Sequence, residues 1–254
     1  MAGKPSNAGM YLYAVVQATE DHEYGEIGID EKRVHLVTDT HLGAVVSDFG
    51  GGKIRPERRH IAAHQAVLKR IMAEDTPLPI AFGMVADSAK GIRRILARNR
   101  VAFTDHLQHV HGRVEMGLRV AWDVPNIFEY FVSVHEDLRT ARDQIVGVQE
   151  RHVPSQEDKI EVGRLFEQCV QEDREKQTAR VEARLASCCV EIKRNPPRNE
   201  MEVMNLACLV ERQAVEKEFE AAIYAAAQSF DSNFSFDFNG PWAPHSFVNI
   251  ELAL

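Results

Sequence analysis

The sequence has no stretch of the roughly 18 consecutive apolar residues that a membrane-crossing helix needs. Residues 1–9 also lack the apolar segment of a secretory signal, so the expected compartment is the cytoplasm. Cysteine is scarce, with only Cys169, Cys188, Cys189 and Cys208, and no pair has C-x-x-C spacing. In a reducing compartment such thiols are expected to be small buried hydrophobes, without disulfides. Positive charge is in deficit, 30 Lys+Arg against 38 Asp+Glu for a net charge of -8. That balance opposes polyanions, so neither nucleic acid nor an anionic membrane is an expected partner. There is no Walker loop, no G-x-S-x-G elbow and no G-x-G-x-x-G after a strand, and no cofactor is expected. Asn233-Phe234-Ser235 spells a glycosylation acceptor that has no meaning without a secretory route.

What is present is ample apolar material for two modest cores: 254 residues, 44% of them hydrophobic. The expected fold class is α+β in two domains, 1–110 and 111–254. In the first, Met10, Leu12, Ala14 and Val16 alternate with Tyr11, Tyr13 and Val15 as a strand. Short strands follow near Val34 to Val37 and Leu42 to Ser47, and the Gly50 to Gly52 run ends the segment. Ile61, His64, Leu68, Ile71 and Met72 mark a helix, Ile80 to Val85 a buried strand, and Ile92 to Val110 a second helix, giving the order βββαβα.

The second domain opens on the strict alternation of Val114, Met116, Leu118, Val120 and Trp122. One helix is predicted from Ile127 to Ile145 and another after Pro154 and Ser155. The latter is polar throughout Gln171 to Thr178, so its middle is expected to project into water, with Glu172 and Lys176 paired. Strands at Cys188 to Lys193 and Val203 to Val210, a helix over Val215 to Phe230, and the aromatic strand Phe234, Phe236, Phe238 complete a β-α-β-β-α-β order. This is the order of a ferredoxin-like domain with an enlarged first crossover. A last strand is expected at Val248, Ile250 and Leu252.

Candidate chemistry is thin. His60 and His64 stand one helical turn apart but lack the glutamate and third ligand of a metal site. His135-Glu136 begins the zinc-protease motif, and Arg139 then occupies the place of its second histidine. His106, His109 and His111 sit where a helix C-terminus favours them. Asp48-Phe49-Gly50 copies three letters of a kinase signature without its companions. Glu115 and Asp123 read as strand and turn residues in preference to a catalytic acid pair. Lys90, Arg94 and Arg98 share a helix face, joined by Arg93 and Arg100, with no interleaved aromatics to stack bases. The residues read as a binding protein, with no catalytic or metal-ligating residue assigned.

The C-terminal stretch Phe236-Asp237-Phe238-Asn239-Gly240-Pro241-Trp242-Ala243-Pro244-His245-Ser246-Phe247-Val248 resembles the signature ending of the gas vesicle accessory family GvpF/GvpL. Tyr11-Leu12-Tyr13-Ala14-Val15-Val16, Pro77 to Gly83, Glu115 to Val120, Asn195-Pro196-Pro197 and Met204 to Val210 occur in that family's order. The resemblance implies a modified ferredoxin-like C-terminal domain, location at the gas vesicle or in the cytoplasm, and a role assisting vesicle assembly. It implies as partners the small hydrophobic shell protein and other accessory proteins, and it brings no catalytic residues. Phe236, Phe238, Trp242, His245 and Phe247 are the expected partner-binding residues. Two alternatives stay open: a structural component retained in the vesicle wall, or a ferredoxin-like domain that binds or converts a small molecule.

Overall fold

The computed structural model describes residues 9–18, 20–51, 54–149 and 155–253. The start of the N-terminal lead, Gly52 and Pro154 lie outside them. The chain divides into two compact units, Met1–Met116 with Leu209–Arg212 and Gly240–Leu254, and Gly117–Cys208 with Gln213–Asn239. This differs from the expected 1–110 and 111–254 in placing the C-terminal tail with the first unit. Within that unit Asn99 holds the tail through Ala253, accepting from its N–H at 3.0 Å and donating to its carbonyl at 3.1 Å. The Glu115 carboxylate likewise accepts from the Ser246 N–H and hydroxyl, both at 2.7 Å.

The first unit is built on an antiparallel sheet of β1 (Gly9–Gln17), β2 (Glu23–Gly25), β3 (Val34–Asp39), β4 (Leu42–Phe49), β5 (Leu78–Pro79) and β6 (Val85–Ala86). Its order is β2-β3-β4-β1-β5, with β6 also on β1. β1 runs against β4 from Gly9 opposite Phe49 to Gln17 opposite Leu42, with a bulge between Leu12 and Ala14. Tyr11 to Val16 are buried on both faces, not on one as the alternation predicts. The two tyrosines tolerate this because each hydroxyl is satisfied: Tyr13 with Ser47 Oγ at 2.8 Å and the Ile29 N–H at 2.8 Å, Tyr11 with His64 and Gly83.

Helix α1 (Arg58–Met72) buries His60, His64, Val67, Leu68, Ile71 and Met72. The expected strand Ile80 to Val85 is instead a loop between β5 and β6. Gly83 takes φ +97 there and gives its N–H to Tyr11 Oη at 3.0 Å, which an unbroken ladder would forbid. The single helix predicted over Ile92 to Val110 is two, α2 (Ala89–Arg98) and α3 (Arg100–Val110). Asn99 separates them, because its side chain caps α2 by donating to the Ile95 carbonyl at 2.8 Å while binding the tail. No strand forms at Val248 to Leu252; a 3-10 turn at His245–Phe247 precedes an irregular tail. Phe247, 3% exposed, anchors it.

The second unit carries α4 (Ile127–Val134), α5 (Glu136–Gln149), α6 (Gln156–Leu185), β8 (Cys189–Asn195) and α7 (Glu220–Ala227) and most of β7 (Arg113–Trp122), β9 (Glu202–Glu211) and β10 (Phe234–Trp242). Its sheet order is β10-β7-β9-β8. β7 is buried at every second position, as its alternation demands. Trp122 meets Phe131 edge-on at 5.2 Å, and Phe128 meets Phe166 at 5.3 Å. The predicted Ile127 to Ile145 helix breaks at His135, where extended backbone intervenes and Arg139 donates to the Val132 and Ser133 carbonyls. α6 starts in a reciprocal Ser155–Asp158 capping box.

The polar run Gln171 to Thr178 is exposed on one side, at Gln171, Glu172, Glu175 and Lys176, with Glu172 accepting from Gln168 at 2.8 Å, and packed on the other. Arg174 lies 5.4 Å above the Trp122 ring and donates to the Glu202 carbonyl, and Thr178 is buried. Arg194 of β8 clasps both Glu175 (2.8 Å) and Glu182 (2.6 Å) from across. The packed side is polar because its partners are carbonyls and an indole face, and the other side because it meets solvent.

Candidate docking surfaces

The structure divides the five expected binding residues. In the second unit, Phe236 and Phe238 point at neighbours within their own unit: Phe236 at Phe230 (5.1 Å) and Phe238 at Tyr224 (6.4 Å). Their alternation on β10 therefore serves the packing under α7. In the first unit Phe247 is core, while Trp242 is 47% exposed and His245 lies at the surface. Burial by surrounding atoms still lowers the His245 pKa. Of the four apolar aromatics among them, Trp242 is the exposed one.

Trp242 forms one wall of an apolar groove of about 660 Å³ in the first unit. The opposite wall is α1, whose inward stripe leaves Ala62, Gln65, Ala66 and Lys69 on the outer face. Alanines where an amphipathic helix ordinarily carries charge are the sequence signal that could have revealed the groove. Gly240 and Pro241, joined by a cis peptide bond, turn the chain toward Trp242. Gly240 has φ +135, and a Cβ there would meet Met116 Sδ at 2.7 Å and the Glu115 carbonyl at 3.0 Å, so glycine is required. Arg212 closes the groove near the end of α1, donating to the Met72 and Asp75 carbonyls that the helix leaves unpaired. Lys69 and Arg212 are the charged residues of the lining, and none of the lining residues is acidic. A second cleft of about 650 Å³ between α5 and α6 carries both signs, with Asp158, Glu161 and Arg164.

The sheets differ in their edges. The first unit's sheet ends in strands of three and two residues, β2 and β5. In the other sheet the edge strands are β10 and β8, nine and seven residues long. On β8, Val190 is 45% exposed beside the charged Glu191, Lys193 and Arg194. Charges on an edge discourage indiscriminate pairing without preventing a chosen strand from adding.

His60, His64 and His135 have structural partners. His64 Nδ1 lies 3.0 Å from Tyr11 Oη, and burial holds its pKa down at about 4. Tyr11, pushed up to about 12 by burial, is the neutral partner of that nitrogen. His60 Nδ1 meets the Arg55 carbonyl at 3.0 Å, and His135 stacks on Phe131. Among the described residues no group of three His, Cys, Asp or Glu is placed to hold a metal. Glu115 is committed to Ser246. On the basic helix face Lys90, Arg94 and Arg98 are exposed, while Arg93 donates to the Thr38 carbonyl and Arg100 pairs with Asp39. The four cysteines are free thiols. Among the described residues no helix is long and apolar enough to cross a membrane.

This mixed fold with two antiparallel sheets is one already seen in gas vesicle proteins. It matches the crystal structure of GvpF from Anabaena sp. PCC7120 with a TM-score of 0.83 at 24% identity, covering 96% of this chain and 99% of that one. The GvpF structure from Microcystis aeruginosa gives 0.78 at 21%, covering 95% and 99%. In sequence, gas vesicle protein F of Nostoc sp. PCC 7120 is 24% identical over 247 residues, 96% of this chain and 99% of its own. Gas vesicle protein L1 of Halobacterium salinarum is 30% identical over 142 residues, 53% of this chain and 50% of its own. The chain belongs to the gas vesicle synthesis protein GvpL/GvpF family, whose model matches residues 9–249. Its role is accordingly related to gas vesicles.

Proposed function

We propose that this chain is an assembly factor that binds the small hydrophobic shell protein of the gas vesicle and assists nucleation and growth of the vesicle. Family membership over nearly the whole chain is the observation that carries this reading. The physical need is clear: an apolar, strand-forming subunit exposed before assembly associates with itself unless another surface covers it. The long β8 and β10 edges supply backbone donors and acceptors of the kind that strand addition uses. We read the order β10-β7-β9-β8, fourth-first-third-second along the chain, as a modified ferredoxin-like domain with α4, α5 and α6 in its enlarged first crossover. Other accessory proteins of the vesicle are further partners in this reading, and the protein works in the cytoplasm and at the vesicle.

Co-purification tests it. The tagged full-length chain, co-expressed with the shell protein, retains it through washing. Absence of association, together with normal vesicles in cells lacking this chain, removes the proposal.

A further inference from the structure

The groove of the first unit joins apolar walls to positive charge. In a chain of net charge -8, its lining includes Lys69 and Arg212 and no carboxylate. Its remaining walls are apolar or uncharged, and the outer face of α1 presents Ala62 and Ala66 one turn apart. Small residues at that spacing let a second helix approach closely, and the half-exposed indole of Trp242 is the type of side chain that anchors an interface. Arg212 is already held by the Met72 and Asp75 carbonyls, so its charge is fixed in place before any partner arrives. Lys69 is exposed and supplies the mobile contact.

We infer that this groove docks an apolar helical segment of the shell polypeptide bearing a carboxylate, which Lys69 and Arg212 receive while Trp242 and the α1 alanines cover its apolar side. The inference rests on the proposed function and deepens it, because it assigns helix recognition to the first unit and leaves strand addition to the second. The commitment to an acidic helix comes from charge complementarity. A basic or uncharged occupant would leave two cations beside an apolar contact without a counter-charge.

The test uses the full-length chain co-expressed with the shell protein. Lys69→Glu places a like charge against the carboxylate, and Ala66→Trp fills the groove; both positions are exposed, so circular dichroism and the melting temperature should match the wild type. Each variant should retain about a tenth or less of the shell protein captured by the wild type, and Lys69→Gln an intermediate amount. Added salt should weaken capture by the wild type more than by Lys69→Gln. Folded Lys69→Glu and Ala66→Trp that capture as well as the wild type overturn the groove assignment while the shell-binding reading stands. If Ala66→Trp misfolds, Lys69→Glu decides the matter alone. A wild type that captures none overturns both.

Discussion

Acidification should loosen the first unit through one residue. His64 lies in the core, 3% exposed, with Nδ1 3.0 Å from Tyr11 Oη and with Tyr13, Phe82 and Tyr11 rings around it. His245 is the other titratable cation that acts on it, and it opposes protonation. With the folded pKa depressed from 6.5 to about 4, the unfolded chain takes up a proton between those values that the folded chain refuses. Stability is therefore complete above the unfolded value and declines as pH falls toward 4, by about 3 kcal/mol at roughly 1.4 kcal/mol per unit. His245, also depressed by burial, adds loss in the same direction. Denaturant unfolding at a series of pH values from 7 down to about 4 measures this, with amide exchange in α1 confirming that the first unit is the part that opens. His64→Gln keeps an acceptor for Tyr11 and cannot ionise, so its stability should fall less steeply. Parallel decline of wild type and variant, or no decline in the wild type, would refute the reasoning.

Three other outcomes are expected. Gly240→Ala should destabilise by about 1–3 kcal/mol, from φ +135 and the close Met116 and Glu115 contacts, read as a lower denaturation midpoint. Arg194→Ala removes two ion pairs but, with the side chain 43% exposed, should cost less than about 1 kcal/mol and depend on salt, as thermal melts at two ionic strengths would show. Cys188, whose thiol is pushed up to about 12 by burial and then by Cys189, should alkylate far more slowly than a free thiol near pH 8, timed by mass spectrometry.

The sequence made regular elements legible wherever one period controlled them. β7 alternates over its full length, and the stripe of α1 identifies its buried face. It was silent where a side chain breaks an element in favour of a tertiary bond. Asn99 reads as one more position of an amphipathic helix, yet it splits that helix to hold Ala253. Gly83 reads as an interior position of the Ile80 to Val85 strand, yet its N–H is taken by Tyr11. Arg174 reads as part of a solvated run, yet it covers Trp122. The candidate site was legible only in part. The aromatic signature contains Trp242, which lines the groove, but Phe236 and Phe238, equally prominent in sequence, are engaged with Phe230 and Tyr224. The opposite wall of the groove escaped because its signal, alanines on the outer face of α1, is a local composition and not a motif. Only the fold shows that a helix keeps Ala62, Ala66 and Lys69 on its outer face beside the indole.

The most direct measurement of shell recognition is the light scattering of shell polypeptide diluted from denaturant, with and without equimolar amounts of this chain. Suppressed or delayed scattering, with the two proteins recovered together in a soluble fraction, is the result expected of a surface that covers the apolar subunit. Identical scattering in both samples, with all shell polypeptide in the pellet, would contradict it.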